Sequence, residues 1–455
     1  MTDLLDRSKP PIITKTTPLA IPSVDILNDR LHSKLFNVDR NILPFINFQL
    51  TLNWGSAYND APQVVYDLLN ALIKTSVGQY SEMEFDTEIE KTGGWLYSHS
   101  GKKYTRFVMS SLVDKFDRLL ELMGLIINET RFEESILERE KQRLKLYQLQ
   151  ASVDPDFQLT KLVNEINYPK DSPEYSTYLF SDEEYDSVTI EDLNRVFSLQ
   201  FNKTNSFIVS AGMSEAISLS EKLLQYWPTF NSKPIPELNY PKKEINKAIY
   251  IFDRPDSTQT GIGMMSQIGR LSLKQEIATK NTISILGGSF DSRLNQTIRE
   301  KMGASYGISS SLENPDAEAK IFTRTNVDTA QSGRVVAAIL NEYHTLNQTI
   351  TESELSKTVS RVIGSLPRLF ETSDSIIGTI TMLEKRKRDL TFLNELMETH
   401  LSLTVADCKE VGEKFLAETP VSICMVGNAD EIELGLKAEA VSLPIYRVDL
   451  DGNIL

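Results

Sequence analysis

Apolar and polar positions along the chain define short strands, each followed by a stretch with helical spacing. Residues 46–73, INFQLTLNWGSAYNDAPQVVYDLLNALI, have the pattern of a strand, a turn and a helix, and residues 260–286 have the same pattern. Residues 113–128 and 332–346 add further apolar positions at helical spacing. This order of elements predicts an α+β fold.

The same pattern occurs twice along the chain. SVTIED (187–192) opens one predicted helix and SLTVAD (402–407) opens another, 215 residues later. The strand and turn FIVSAGMSE match ICMVGNADE at the same offset of 215, which pairs Gly212 with Gly427. Two matches in one register predict two copies of one α+β unit.

A proline-rich stretch separates the two copies. WPTFNSKPIPELNYPKKE contains four prolines, and proline fixes φ and removes a backbone donor. We therefore predict a first domain at 20–228, an extended linker at 229–245 and a second domain at 246–455. A cleft between two such domains is the natural place for a site.

Charge and hydropathy exclude two classes of partner. The net charge of −15 argues against nucleic acid, because phosphate binding needs clustered Lys and Arg. No stretch approaches the 18 or more apolar residues that suggest a membrane span, and the start MTDLLDRSKPPIITK does not resemble a signal peptide. These observations predict a soluble, cytoplasmic protein that binds neither nucleic acid nor membrane.

Residue spacing alone identifies no active site. None of the four histidines lies three or four residues from another histidine or from a cysteine. The sequence contains no nucleophile-elbow, Walker or dinucleotide motif. The glycine-rich LGGSF (286–290) is more typical of a structural bend.

One long block resembles a known family. Residues 285–313, ILGGSFDSRLNQTIREKMGASYGISSSLE, are similar to the C-terminal domain of the pitrilysin/insulinase family of zinc peptidases, which includes the mitochondrial processing peptidase. The shared pattern is a Leu-Gly-Gly turn, Ser-Arg-Leu, and Arg-Glu-Lys-x-Gly-x-x-Tyr. The resemblance implies two homologous α/β-roll domains, each with a mainly antiparallel six-stranded sheet packed with helices.

The resemblance extends to the helix on which the family binds zinc. PQVVYDLLNALIKTS (62–76) aligns with that helix, but the family's His-x-x-Glu-His positions hold Tyr66, Leu69 and Asn70. Tyrosine is protonated near neutrality, leucine has no donor atom and an asparagine amide is a poor zinc ligand. The resemblance therefore implies a degenerate zinc motif, with no metal or other cofactor in this chain.

Further family positions can be placed by the same alignment. The third zinc ligand, a glutamate on a later helix, falls near Tyr147 in LEREKQRLKLYQLQ (137–150). The substrate-binding edge corresponds to GGWLYSHS (93–100), where Tyr97 replaces an asparagine and Ser98 follows it. We also assign substrate binding to Gly287 and Gly288 in the Leu-Gly-Gly turn.

The resemblance gives Arg299 and Tyr306 a catalytic role. In the family, an arginine and a tyrosine of the C-terminal-type domain hold the substrate carbonyl and stabilise the oxyanion at the zinc site. We expect Arg299 near a helix end, a helix break at Gly303 and a new strand at Tyr306. The alternatives are an ion pair of Arg299 with Glu300 or a neighbour, and a core or edge packing role for Tyr306.

These matches imply a subunit that is inactive alone. The expected protein is the non-catalytic subunit of a heterodimeric zinc peptidase. It closes the chamber and donates Arg299 and Tyr306 to the site of a homologous zinc-binding partner. Its substrate is a peptide or unfolded protein. The alternative is a non-enzymatic scaffold or peptide-binding protein of the same fold.

Overall fold

The computed structural model describes residues 20–27, 33–58, 61–201, 206–226, 235–314 and 316–455. These residues form two halves, each built on a six-stranded sheet packed with helices, so the predicted fold class is confirmed. Residues 235–245 of the predicted linker form no helix or strand, and 229–234 lie outside the described residues. Within the described ranges, no helix is long and apolar enough to span a membrane.

The first half contains one large mixed sheet and a small hairpin. Its strands are β1 (Asp25–Leu27), β2 (Lys34–Asp39), β3 (Phe45–Leu52), β4 (Ser76–Val77), β5 (Tyr80–Ser81), β6 (Trp95–Ser100), β7 (Thr105–Leu112) and β8 (Ser206–Gly212). The large sheet has the order β1-β2-β8-β3-β7-β6, and β4 pairs with β5. In the large sheet β2 and β8 run parallel, while the other neighbouring strands run antiparallel.

Eight α-helices accompany these strands within the described residues. They are α1 (Gln63–Leu72), α2 (Glu82–Glu90), α3 (Phe116–Glu129), α4 (Glu134–Ser152), α5 (Pro155–Asn167), α6 (Asp182–Asp186), α7 (Ile190–Gln200) and α8 (Ala216–Tyr226). Helix α1 contacts α4, α7 and β6, which places the helix with the degenerate zinc motif inside the first half.

The second half contains an equivalent six-stranded sheet in which one outer strand runs in a different direction. Its strands are β9 (Ala248–Asp253), β10 (Gln259–Gly269), β11 (Ile308–Glu313), β12 (Ala319–Asp328), β13 (Val421–Gly427) and β14 (Ile445–Val448), in the order β11-β12-β10-β13-β9-β14. The outer strand β14 runs parallel to β9, whereas β1 runs antiparallel to β2 in the first sheet. The other edge of the second sheet is formed by β11, which is equivalent to β6 in the first sheet.

The helices of the second half include three π-helical turns. The α-helices are α9 (Leu273–Ile283), α10 (Ser332–Thr349), α11 (Glu352–Ser365), α12 (Ser373–Lys385), α13 (Phe392–Leu401), α14 (Val405–Gly412) and α15 (Ala429–Ala438). The π-helical turns are Ser284–Gly288, Asn295–Lys301 and Glu413–Ala417. The first turn overlaps the start of LGGSFDSRL (286–294), and the second follows that segment directly and contains Arg299.

The residues paired by the offset of 215 occupy matching elements. Gly212 ends β8 and Gly427 ends β13. Thr189 caps α7 and Thr404 caps α14, and both caps form a capping box with an aspartate three residues later. The repeated sequence pattern therefore coincides with the residues whose hydrogen bonds start equivalent helices in the two halves.

The two halves exchange one helix each. The apolar side of α5, from the first half, packs on β10 and β13 of the second sheet, while α12 packs on β3 and β8 of the first sheet. The buried residues that α5 contributes are Leu159, Leu162 and Val163, and those from α12 are Ile376, Ile377 and Ile380. Each half thus completes one layer of the other.

Candidate functional site

Four of the predicted site residues line one cavity in the second half. Gly287, Gly288, Arg299 and Tyr306 border a space of about 730 Å³ beside the edge strand β11. A Cβ on Gly287 would lie 2.3 Å from Ser310 Oγ, so glycine lets this turn approach the strand. The structure therefore brings the Arg-Tyr pair and the Leu-Gly-Gly turn together.

Arg299 lies at the end of a π-helical turn, as expected, and its side chain is half-buried. The guanidinium carbon lies 4.0 Å from the centre of the Phe290 ring. Among the described residues, neither Glu300 nor any other group forms a hydrogen bond or ion pair with Arg299. The N–H donors of Arg299 are free within this part of the chain.

Tyr306 is fully exposed and lies in the loop between the π-helical turn and β11. Gly303 ends the preceding turn at φ 62°, a backbone conformation that favours glycine. The expectation that Tyr306 begins the strand is wrong by two residues, because β11 starts at Ile308. Because the side chain of Tyr306 is fully exposed, it packs in no core formed by the described residues.

Two side chains that the sequence analysis missed fix this loop. Asn295 Nδ2 donates to the carbonyls of Ser289 (3.0 Å) and Ile308 (2.9 Å), and its Oδ1 accepts from Ile308 N (3.2 Å). Ser305 Oγ donates to the carbonyl of Asn326 at 2.8 Å and accepts from Gly307 N at 3.1 Å. These bonds tie both sides of Tyr306 to the sheet, although the Tyr306 ring itself is free.

The face of α1 that matches the family's zinc motif does not fit a metal. Tyr66 and Leu69 are buried in the apolar core between α1, α4 and α7. The amide of Asn70 is engaged on both sides, because Nδ2 donates to Ser100 O (2.7 Å) and Oδ1 accepts from Ser100 N (2.6 Å). Asn70 therefore anchors β6 to α1.

Tyr147 differs in exposure from the two buried positions on α1. It lies on α4 with 67% of its surface exposed, whereas Tyr66 and Leu69 are buried. Across the described ranges, no group of three or more His, Cys, Asp or Glu side chains is arranged to hold a metal ion. The described part of the first half thus offers no donor set for the family's zinc.

One carboxyl group in this region was not anticipated. Asp67 lies on α1 between Tyr66 and Leu68, and burial raises the pKa of its carboxyl group to about 6. No cation among the described residues forms an ion pair with Asp67. Nothing in the sequence indicated this raised pKa, because the burial of a residue between the motif positions cannot be deduced from its type.

The predicted substrate edge is an outer strand of the first sheet. β6 pairs with β7 on one side, and its other side has no neighbour among the described strands. Tyr97 is about half exposed and stacks on Trp95 with ring centres 5.3 Å apart. Ser98 points to the opposite face, where its Oγ is buried without a hydrogen-bond partner in the described part of the chain.

Family models match both halves of the chain. The model described as insulinase (peptidase family M16) matches residues 44–177, and the model described as peptidase M16 inactive domain matches residues 187–362. The second match begins in the first half and crosses the predicted linker. Together the two models cover more than half of the chain.

The individual proteins compared with this chain are each less than 25% identical to it. The chain is 22% identical over 349 residues to a Helicobacter pylori protein named non-peptidase homolog YmxG, covering 75% of this chain and 79% of that one. It is 24% identical over 409 residues to a Rickettsia bellii protein named an uncharacterized zinc protease, covering 85% of this chain and 94% of that one. A crystal structure of a peptidase M16 inactive domain from Pseudomonas fluorescens has the same fold, with a TM-score of 0.80 at 20% identity over 89% of this chain and 98% of that one.

Proposed function

Because the chain belongs to the insulinase family, peptidase family M16, we propose that it is the non-catalytic subunit of a heterodimeric zinc peptidase. The partner is a homologous subunit that carries the zinc motif. This chain closes the chamber and donates Arg299 and Tyr306 to the partner's site. The substrate is a peptide or an unfolded protein segment.

One observation carries this proposal. Arg299 and Tyr306 border the same cavity, and neither donates to another described residue. A guanidinium group has five N–H donors and a phenol has one O–H donor. Donors that border a cavity and are not used by the fold are suited to an oxygen that arrives with a ligand.

The first half supports the non-catalytic part of the proposal. Tyr66 and Leu69 contribute to packing, and both amide atoms of Asn70 bond to the backbone of β6. The residues that replace the zinc motif therefore have structural tasks. Replacing Tyr66 or Leu69 alone with the family's motif residue would remove core packing and would not by itself create a metal site.

The proposed chemistry divides between the two subunits. When bound in the partner, zinc supplies an activated water for peptide hydrolysis. Arg299 and Tyr306 hold the substrate carbonyl oxygen and stabilise the negative charge that develops on it. The peptide adds as an extra strand to an exposed sheet edge, for which β6 with Tyr97 and Ser98 is the candidate in the first half.

The test is peptide cleavage by this chain together with the zinc-bearing homologue from the same genome. Arg299→Ala and Tyr306→Phe should each lower kcat by about 10²–10³-fold, because one oxyanion donor is lost. KM should change less than kcat, since these contacts strengthen in the transition state. Lys301→Ala is the matched control, because Lys301 is an exposed cation in the same turn.

Gel filtration of the mixed chains separates the two candidate functions. The two site variants should assemble with the partner as the unsubstituted chain does. Normal kcat in both variants would contradict the donor role. A complex that assembles but never cleaves peptide, with or without the substitutions, would favour a scaffold of the same fold.

A further inference from the structure

The side chain of Arg299 is held by an aromatic face and not by an acid. Its guanidinium carbon lies 4.0 Å from the Phe290 ring centre, within the range of a cation–π contact. A carboxylate partner would occupy the N–H donors of Arg299 in hydrogen bonds. A ring face restrains the same cation and leaves these donors available.

Phe290 has an exposure that packing does not explain. Its surface is 70% exposed, although it is a large apolar side chain. The residues on both sides are bonded to their surroundings: Asn295 Nδ2 donates to the carbonyl of Ser289 at 3.0 Å, and the Asp291 carboxylate pairs with Arg361 at 3.0 Å. The ring is therefore presented from an anchored turn.

Both residues border the cavity that also contains Tyr306. We infer that Phe290 is a positioning residue, which holds the guanidinium group of Arg299 in place at the cavity while its N–H donors stay free. The assignment of Arg299 as a donor rests on the proposed function. The contact between the two side chains does not, so it can be tested on this chain alone.

The first arm of the test uses NMR on the full-length chain with isotope-labelled arginine. The Arg299 Hε resonance, assigned with Arg299→Lys, should show an upfield ring-current shift. Phe290→Leu keeps an apolar side chain but removes the ring, so the resonance should move downfield towards values typical of exposed arginine. Phe290→Trp should retain the upfield shift, because indole offers the strongest cation–π face. Phe45→Leu, an aromatic-to-leucine change in the first half, should leave the resonance unchanged.

The second arm measures peptide cleavage with the zinc-bearing homologue. Phe290→Leu should lower kcat by about two- to fivefold, which corresponds to an exposed cation–π contact. KM should be nearly unchanged, Phe290→Trp should restore kcat, and Phe45→Leu should match the unsubstituted chain. Rescue by tryptophan but not leucine identifies the ring face as the cause.

The two arms separate failure of this inference from failure of the proposed function. The positioning role is wrong if Phe290→Leu leaves the Arg299 resonance in place. It is also wrong if the leucine and tryptophan variants have equal kcat while Arg299→Ala is crippled. If the resonance shifts as expected but Arg299→Ala cleaves normally, the contact is supported and the donor role in the proposed function is wrong.

Discussion

Tyr66 and Leu69 pack in the core beneath α1, and the carboxyl group of Asp67 between them is partly buried at an energetic cost. Burial raises the pKa of its carboxyl group from an ordinary 3.8 to about 6. The folded chain therefore keeps the proton to a higher pH than the unfolded chain does. The resulting stabilisation is complete below the ordinary carboxyl pKa and is lost as pH rises through about 6.

Asp67→Asn should remove this pH dependence. We expect the variant to be more stable than the unsubstituted chain at pH 7, by up to about 3 kcal/mol, and to differ little at pH 4. The free energy of unfolding, measured in urea from pH 4 to 7.5, checks this. Asp114→Asn is the control, because Asp114 is an exposed acid. Parallel pH profiles for Asp67→Asn and the unsubstituted chain would show that Asp67 is not desolvated.

For single residues, the sequence predicted which positions match the family motifs better than it predicted the contacts of their side chains. The motif indicated where Tyr66, Leu69 and Asn70 would fall, but not that Asn70 would hold β6 through Ser100. It placed Arg299 near a helix end but gave no signal for Phe290, because a contact across nine residues depends on the turn between them. Local pattern reports spacing, whereas side-chain partners depend on backbone geometry.

Elements follow the sequence more closely, because their start signals are local. Thr189 and Thr404 each accept a hydrogen bond from the backbone of the aspartate three residues later, and that aspartate bonds back to the threonine. The same signal at both positions explains why the repeat was visible at an offset of 215. The start of β11 was misplaced because the loop is stabilised by Asn295 and Ser305, which lie outside the strand.

Matched caps should have matched energetic effects. Thr189→Ala and Thr404→Ala should each lower the free energy of unfolding by about 1 kcal/mol, since each loses an N-cap hydrogen bond. Thr399→Ala is the control, because the Thr399 hydroxyl donates to the carbonyl of Glu395 within its own helix and caps no helix start. Urea unfolding of the three variants measures the effect. If either cap variant behaves as the control does, that threonine is not a working cap.

The exchange of α5 and α12 could not be predicted from the sequence, because an amphipathic helix does not specify which sheet it covers. This exchange links the cores of the two halves. Leu162 is fully buried on the second sheet although it belongs to the first half, and Ile380 is buried on the first sheet although it belongs to the second. The buried ion pair between Lys320 and Glu174 also joins the halves. The two sheets therefore share cores that neither half completes alone.

We expect this sharing to make the chain unfold as one unit despite its two sheets. All three tryptophans precede the predicted linker, so their fluorescence reports the first half, whereas far-UV circular dichroism reports both. Ile251→Ala, in the core of the second half, should lower stability by about 2–5 kcal/mol and shift both signals to the same urea concentration. Leu162→Ala should do likewise, because it removes α5 packing from the second sheet. A fluorescence transition that stays in place while circular dichroism shifts would mean that the halves unfold separately and that the exchanged helices do not couple them.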